Sequence, residues 1–347
     1  MPLQSQSYVF DPRPHFPFLV SVKRYWVPGL ESTDPSAPTL IFTHGAGFYK
    51  EQWEPVLEEL YDFVATAVST GGKVTIRDAW AIEAPDHGES AVLNEKELHK
   101  QNVPSAFSSA SAYTTAVHLV LSGQGKGLDV DFKDRNLFAL GNSLGCIPLI
   151  MSRALEPVIP WRSAILVNPA ILHPAYNLRT EALLVTGAER DTDIWPNREA
   201  ARKVLHEQTL NTWDSRAIDV FLNYGLRELP TADYPAETKG VTLKHSRVSE
   251  TATYGDSESR LAASRYLLSF CMEIPTYAIF GAVEANPNPV SSREVIVRDL
   301  AVGNLKTANI IDGVGHFCIQ QDPAGVAEHV YSALAHFKAI SASKSKL

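Results

Sequence analysis

Ser143 and His316, far apart in the chain, both stand in settings that suit nucleophilic catalysis. Serine is a weak nucleophile at its own pKa and attacks a carbonyl only when a base within hydrogen-bond reach takes its proton. Ser143 lies in Gly141-Asn142-Ser143-Leu144-Gly145, a G-x-S-x-G pattern. Before it runs Leu137-Phe138-Ala139-Leu140, with the length and composition of a buried strand; after it comes an apolar, helix-compatible run. Strand, G-x-S-x-G and helix in succession predict a nucleophile elbow, a sharp turn that lifts the serine hydroxyl clear of a sheet. Glycines on either side keep side chains out of the space where helix and strand nearly touch. In that geometry the Leu144 N–H, at the positive end of the new helix, points where an oxyanion would form.

The expected base is His316, in Val314-Gly315-His316-Phe317, just past the last predicted strand. His118, His173 and His206 fall in helical or intervening segments and read as structural, while His44 belongs to a glycine-rich loop. The acid that would orient the imidazole is expected at Glu284, in Phe280-Gly281-Ala282-Val283-Glu284, which preserves the chain order serine, acid, histidine. Two alternatives stay open. Asn168, in Val167-Asn168-Pro169, is neutral and would orient a histidine without offsetting its charge; Asp312, close before His316, reads rather as a turn residue. The second oxyanion donor is expected from His44-Gly45-Ala46-Gly47-Phe48, from the Ala46 N–H first and Gly47 second. Gly45 and Gly47 let the backbone approach a substrate that Phe48 also contacts. Asp86-His87-Gly88 reads as a structural turn lining the site.

These residues must be positioned by the elements between them. Strands are expected at Phe18–Val27, Thr39–Thr43, Ala79–Glu83, Ser163–Val167, Thr276–Phe280 and Ala308–Ile311, besides the one before the elbow. Helices are expected after His44–Phe48, near Ala110–Leu121, after the elbow and over Ala324–Ile340, with a polar loop between Ser90 and Ala110. Buried strands alternating with helices predict a mostly parallel sheet covered on both faces. The rhythm breaks between Asn168 and Pro275, where helical patterns appear at Asn197–Leu210, Asp214–Leu226 and Glu258–Phe270. A structureless loop of that length is implausible. The expected fold is therefore an α/β-hydrolase fold, with a core over 1–170 and 271–347 and an inserted helical cap over 171–270.

Composition narrows the function. The chain of 347 residues is 45% hydrophobic and 20% charged, an ordinary globular balance. A net charge of −8 argues against a general nucleic-acid or anionic-membrane binder. No run approaches the length of a spanning helix, so no integral membrane insertion is expected, and the N-terminus has no secretory pattern. Three scattered cysteines make neither a disulfide framework nor a zinc site and fit a reducing interior, and the serine–histidine chemistry implies no metal or organic cofactor. The terminal Ser345-Lys346-Leu347 matches the peroxisomal import signal, which makes a peroxisomal matrix location and an import receptor the expectation.

Three core stretches carry a further likeness: His44–Glu51 with Trp53, Ala84–Ser90 and Gly141–Gly145. With Trp213–Arg227, Val241–Lys244, Glu250, Tyr254 and the terminal Ser-Lys-Leu, they resemble a group of fungal peroxisomal α/β-hydrolases. That group includes a lipase, host-toxin biosynthesis proteins and an acyl-CoA hydrolase of the mycophenolic acid pathway. The resemblance implies a serine hydrolase acting on an ester or thioester of a mostly apolar acid. Relatives of this kind tend to carry Asp or Glu where this chain has Asn168, and to lack an acid at Glu284. A lactone-forming cyclase using the same residues, and a non-catalytic binding protein on the same fold, are the alternatives.

Overall fold

The computed structural model describes residues 2–69, 74–100, 110–171, 193–208, 210–283 and 292–344. In chain order the elements are β1 (Gln4–Phe10), β2 (Val20–Trp26), β3 (Pro38–Thr43), α1 (Glu54–Ser69), β4 (Asp78–Ile82), α2 (Gly88–Lys100) and α3 (Ala110–Ser122). Then come β5 (Asn136–Asn142), α4 (Cys146–Met151) and β6 (Ser163–Val167). The intervening region holds β7 (Ile194–Trp195), α5 (Arg198–Gln208), α6 (Ser215–Val220), β8 (Leu226–Glu228), β9 (Val241–Leu243), α7 (Arg247–Tyr254) and α8 (Ser257–Glu273). The chain closes with β10 (Thr276–Gly281), β11 (Thr307–Ile311), α9 (Cys318–Gln321) and α10 (Pro323–Lys344).

Eight strands form one sheet in the order β1-β2-β4-β3-β5-β6-β10-β11. β2 is antiparallel to both β1 and β4, and every pairing from β4 to β11 is parallel. Strands buried on both faces need continuous apolar runs, and β4 and β6 are buried at every position. One face packs against α3, α4 and α8 through Tyr113, Val117, Ile147 and Leu267. The other packs against α1 and α10 through Leu57, Leu60, Val326 and Val330. At about 1.5–3 kcal/mol per buried large apolar side chain, these two layers dominate the stability of the core.

Because β5 lies inside a parallel run, the loops following β3, β5, β6, β10 and β11 emerge at one edge of the sheet, where ligands bind in open α/β folds. Across that edge lies the cap. Beside the expected helices it contains a three-stranded antiparallel sheet, β7-β9-β8, of two- and three-residue strands. Its own small core joins Trp195, Ile218, Phe221, Leu222 and Leu243 to Tyr49 of the main domain.

Three features differ from the sequence reading. α8, which lies within the expected cap range, contributes Ala263, Leu267, Phe270 and Cys271 to the main core. The polar loop after Ser90 is helical over Gly88–Lys100, buried only through Gly88, Ser90, Ala91 and Asn94; small and polar buried residues leave no apolar stripe to read. β1 was not anticipated because most of Gln4–Phe10 is exposed and only Phe10 is buried. Its pairing with β2 is carried by backbone hydrogen bonds that need no apolar pattern.

Candidate active site

The turn after β5 puts Ser143 at φ 52°, a left-handed conformation that a non-glycine residue holds only under constraint from its surroundings. The constraint is close packing. A Cβ on Gly145 would lie 2.6 Å from the Thr43 carbonyl, and one on Gly141 would lie 2.8 Å from the Gly145 carbonyl. The Thr43 hydroxyl then donates to the Gly145 carbonyl at 2.7 Å, tying β3 to the turn. Ser143–Gly145 form a single helical turn, and its leading N–H groups, that of Leu144 among them, have no intrahelical acceptor.

His316 reaches this turn from the loop after β11, its Nε2 2.9 Å from Ser143 Oγ. His316 keeps solvent contact, yet the protein packed around its ring displaces enough water to lower its pKa below the ordinary imidazole value. A neutral imidazole beside a serine hydroxyl can take the proton as oxygen attacks and return it to a leaving group.

The loop carrying His316 is gripped from several sides. Gly315 N–H donates to Gln321 Oε1 at 2.8 Å, and Val283 N–H donates to the Val314 carbonyl at 2.9 Å. Asn168, at φ 42°, directs its amide NH2 to the carbonyls of Gly315 (3.2 Å) and His316 (3.0 Å) and to Cys318 Sγ (3.1 Å). Its Oδ1 accepts the Gly281 N–H at 3.1 Å. Asn168 thus holds the backbone of the histidine loop rather than the imidazole. Among the described residues no carboxylate bonds to His316 Nδ1. Glu284 lies outside the described residues, directly after Val283. Asp312 is an exposed turn residue.

The loop after β3 is equally determined. The Tyr113 hydroxyl accepts the His44 N–H at 3.0 Å and donates to the Ile82 carbonyl at 2.7 Å. His44 Nε2 accepts the Ala84 N–H at 3.0 Å, so its proton sits on Nδ1, which faces the Gly45 carbonyl at 2.8 Å. That ring is fully buried and held neutral, its pKa well below the ordinary value chiefly because of burial. Phe48 N–H closes a turn onto the Gly45 carbonyl at 3.3 Å. Gly47, the second-choice oxyanion donor, has its N–H occupied by His87 Nε2 at 3.1 Å. Ala46 N–H is left without a hydrogen-bond partner among the described residues.

Phe48 packs into an aromatic triangle with Phe317, beside His316, and Trp213 of the cap; the ring centroids are 5.8–6.0 Å apart. The three rings link the two catalytic-edge loops to the cap. Sequence reasoning missed this clasp, the Tyr113 anchor and the His87 bond. Tyr113 and His44 are 69 positions apart, and no local pattern announces such a pairing. No cluster of three or more metal-ligating side chains occurs among the described residues.

Comparison with known proteins agrees with this architecture. The chain is 26% identical over 239 residues to a protein named type I acyl-CoA thioesterase mpaH from Penicillium roqueforti, covering 67% of this chain and 49% of that protein. It is 28% identical over 224 residues to a type I acyl-CoA thioesterase mpaH' from Penicillium brevicompactum, covering 62% and 46%. The chain thus spans about half the length of these curated relatives. Among solved structures, the peroxisomal alpha-beta-hydrolase Lpx1 from Saccharomyces cerevisiae superposes with a TM-score of 0.69 at 16% identity, over 97% of this chain and 89% of that one. A thioesterase domain from the curacin biosynthetic pathway superposes with a TM-score of 0.62 at 15% identity, over 95% and 99%. The family model described as "Alpha/beta hydrolase family" matches residues 40–329. With elbow, parallel sheet and histidine loop in the same order, the chain belongs to the alpha/beta hydrolase family.

Proposed function

We propose that this protein is a serine hydrolase that cleaves an acyl thioester or carboxylic ester of a mostly apolar acid through an acyl-enzyme, in the peroxisomal matrix. The observation that carries the reading is the 2.9 Å contact between Ser143 Oγ and His316 Nε2 at a strained elbow. Ser143 Oγ adds to the acyl carbon as its proton passes to His316 Nε2. The carbonyl oxygen, now negative, is held by the N–H groups of Ala46 and Leu144. Collapse expels the thiolate or alkoxide, which takes the proton from His316. Water then repeats the sequence and releases the acid. Glu284 is the proposed carboxylate partner of His316. Gly45, Gly47 and Phe48 form the wall beside the acyl group, and the rings of Phe48, Trp213 and Phe317 favour an apolar chain. The thioester preference draws on the two acyl-CoA thioesterase relatives. The location draws on the terminal Ser-Lys-Leu, which lies outside the described residues.

The test is fluorophosphonate labelling combined with an activity panel of acyl-CoAs, lipid esters and lactones. Wild type is expected to take the label and to turn over acyl-CoA, and Ser143→Ala to do neither, with rates down about 10³–10⁶-fold. In isotopically labelled water the released acid should carry the label; an unlabelled lactone would point to cyclisation instead. A wild-type protein that refuses the probe overturns the reading.

A further inference from the structure

The functional reading leaves a second imidazole–carboxylate pair unused. His87 and Asp86 are 1% and 3% exposed, beneath the cap and against the loop that carries Ala46. Gly47 N–H donates to His87 Nε2 at 3.1 Å, so that nitrogen must present a lone pair. The proton is therefore on Nδ1, which donates to Asp86 Oδ1 at 2.8 Å. Asp86 Oδ2 is buried without a partner, leaving the carboxylate committed to this imidazole. A structural turn needs only a backbone bond here, and His87 N–H already makes one to the Ala84 carbonyl at 3.2 Å. The side-chain pair adds something the turn does not require.

We propose that His87, held in one tautomer by Asp86, is a positioning residue for the oxyanion loop: by accepting the Gly47 N–H it sets the loop so that the Ala46 N–H faces the substrate oxygen. This rests on the serine-hydrolase reading above. The assignment carries a protonation requirement, because an imidazolium has N–H on both nitrogens and would confront the Gly47 N–H with a second donor. The ionisable groups around His87 are Asp86 and Glu83 from β4 and its following turn, His44 from the loop itself, and His245 and Glu250 from the cap. Glu83 is engaged by Lys50 and Glu250 by Arg247. The cap reaches the same point, since a Cβ on Gly47 would lie 3.2 Å from Glu250 Oε1 and His245 stacks on His87 with centroids 5.3 Å apart.

Burial lowers the pKa of His87, but Asp86, Glu250 and Glu83 together outweigh it and raise the value above the ordinary one. Burial lowers that of His316. Protonation of His87 on acidification would therefore release the oxyanion loop and add to the acid limb that His316 sets.

The experiment compares wild type, His87→Leu and His87→Gln by p-nitrophenyl butyrate kinetics from pH 4.5 to 8, fluorophosphonate labelling rate and thermal melting. A glutamine amide oxygen can accept the Gly47 N–H and has no proton to gain. His87→Leu is expected to lower kcat about 10²–10³-fold, the cost of one misplaced oxyanion donor, with KM within about threefold. His87→Gln should recover kcat to within about tenfold and shift the acid limb to lower pH, where only His316 titrates. Equal loss in both variants, or wild-type kcat in a folded His87→Leu, overturns the assignment. Should the leucine variant not fold, an unmoved acid limb in His87→Gln overturns it. Absence of labelling in wild type would instead sink the hydrolase reading on which it stands.

Discussion

Asn168 directly follows β6, and its hydrogen bonds explain why a neutral side chain suits this position. Its NH2 donates toward two carbonyls and a sulfur while its oxygen accepts a backbone N–H. A carboxylate there would place a negative oxygen against the carbonyls of Gly315 and His316. Asn168→Asp is therefore expected to cost about 1–3 kcal/mol in a urea melt at pH 7 and to lower kcat rather than restore a triad. The deficit should shrink as pH falls, since a protonated acid regains one donor; a more active Asn168→Asp would contradict this account. Glu284 tests differently. If it is the partner of His316, Glu284→Gln should reduce kcat by about 10²–10⁴ with KM and melting temperature little changed.

At the scale of elements, α7 fastens the cap over the loop that carries Gly47. Ser246 caps it by accepting the Ser249 N–H at 3.0 Å. Glu250 bonds Arg247 at 2.6 Å, lies 3.5 Å from His245 Nε2 and accepts the Tyr254 hydroxyl at 3.2 Å. Burial works against its charge, but His245 and Arg247 hold the carboxyl down at about 2. A depressed native pKa means the stabilisation is complete above the ordinary carboxyl range near 4.5 and is lost as pH falls toward 2. It amounts to about 3 kcal/mol. Glu250→Gln should lose about that much in denaturant melts at pH 7 and little at pH 2, so the two proteins converge on acidification.

Several of these elements are legible in the sequence. β3, β4, β5, β6 and β10 are apolar runs bounded by turns, and each was expected within a residue or two. The helices at Arg198–Gln208 and Ser257–Glu273 also match their periodicity, though periodicity did not say that the second packs on α4. β7, β8 and β9 are two or three residues long, too short for any alternation to register.

For the whole molecule, the sheet order gathers loops from residues 44–48, 143–145, 168 and 314–318 at one edge, and the cap closes over them. No helix among the described residues is long and apolar enough to cross a membrane. If the terminal tripeptide is read by an import receptor, removing Ser345–Leu347 should abolish peroxisomal accumulation of a fluorescent fusion while leaving the activity of the purified protein unchanged. An activity loss on truncation would show instead that the tail serves the fold.

The amino-acid sequence alone determined the elbow turn, the parallel core and the serine and histidine that meet at its edge, because each is written within a few consecutive residues as a turn, an apolar run or a glycine pair. Only the tertiary structure decided that Gly47 spends its N–H on His87, that Asn168 grips a loop and not an imidazole, and that α8 belongs to the core. Those outcomes depend on which groups the packed sheet brings within hydrogen-bond reach of one another, and hydrogen bonds between residues 40 to 150 positions apart leave no trace in local sequence.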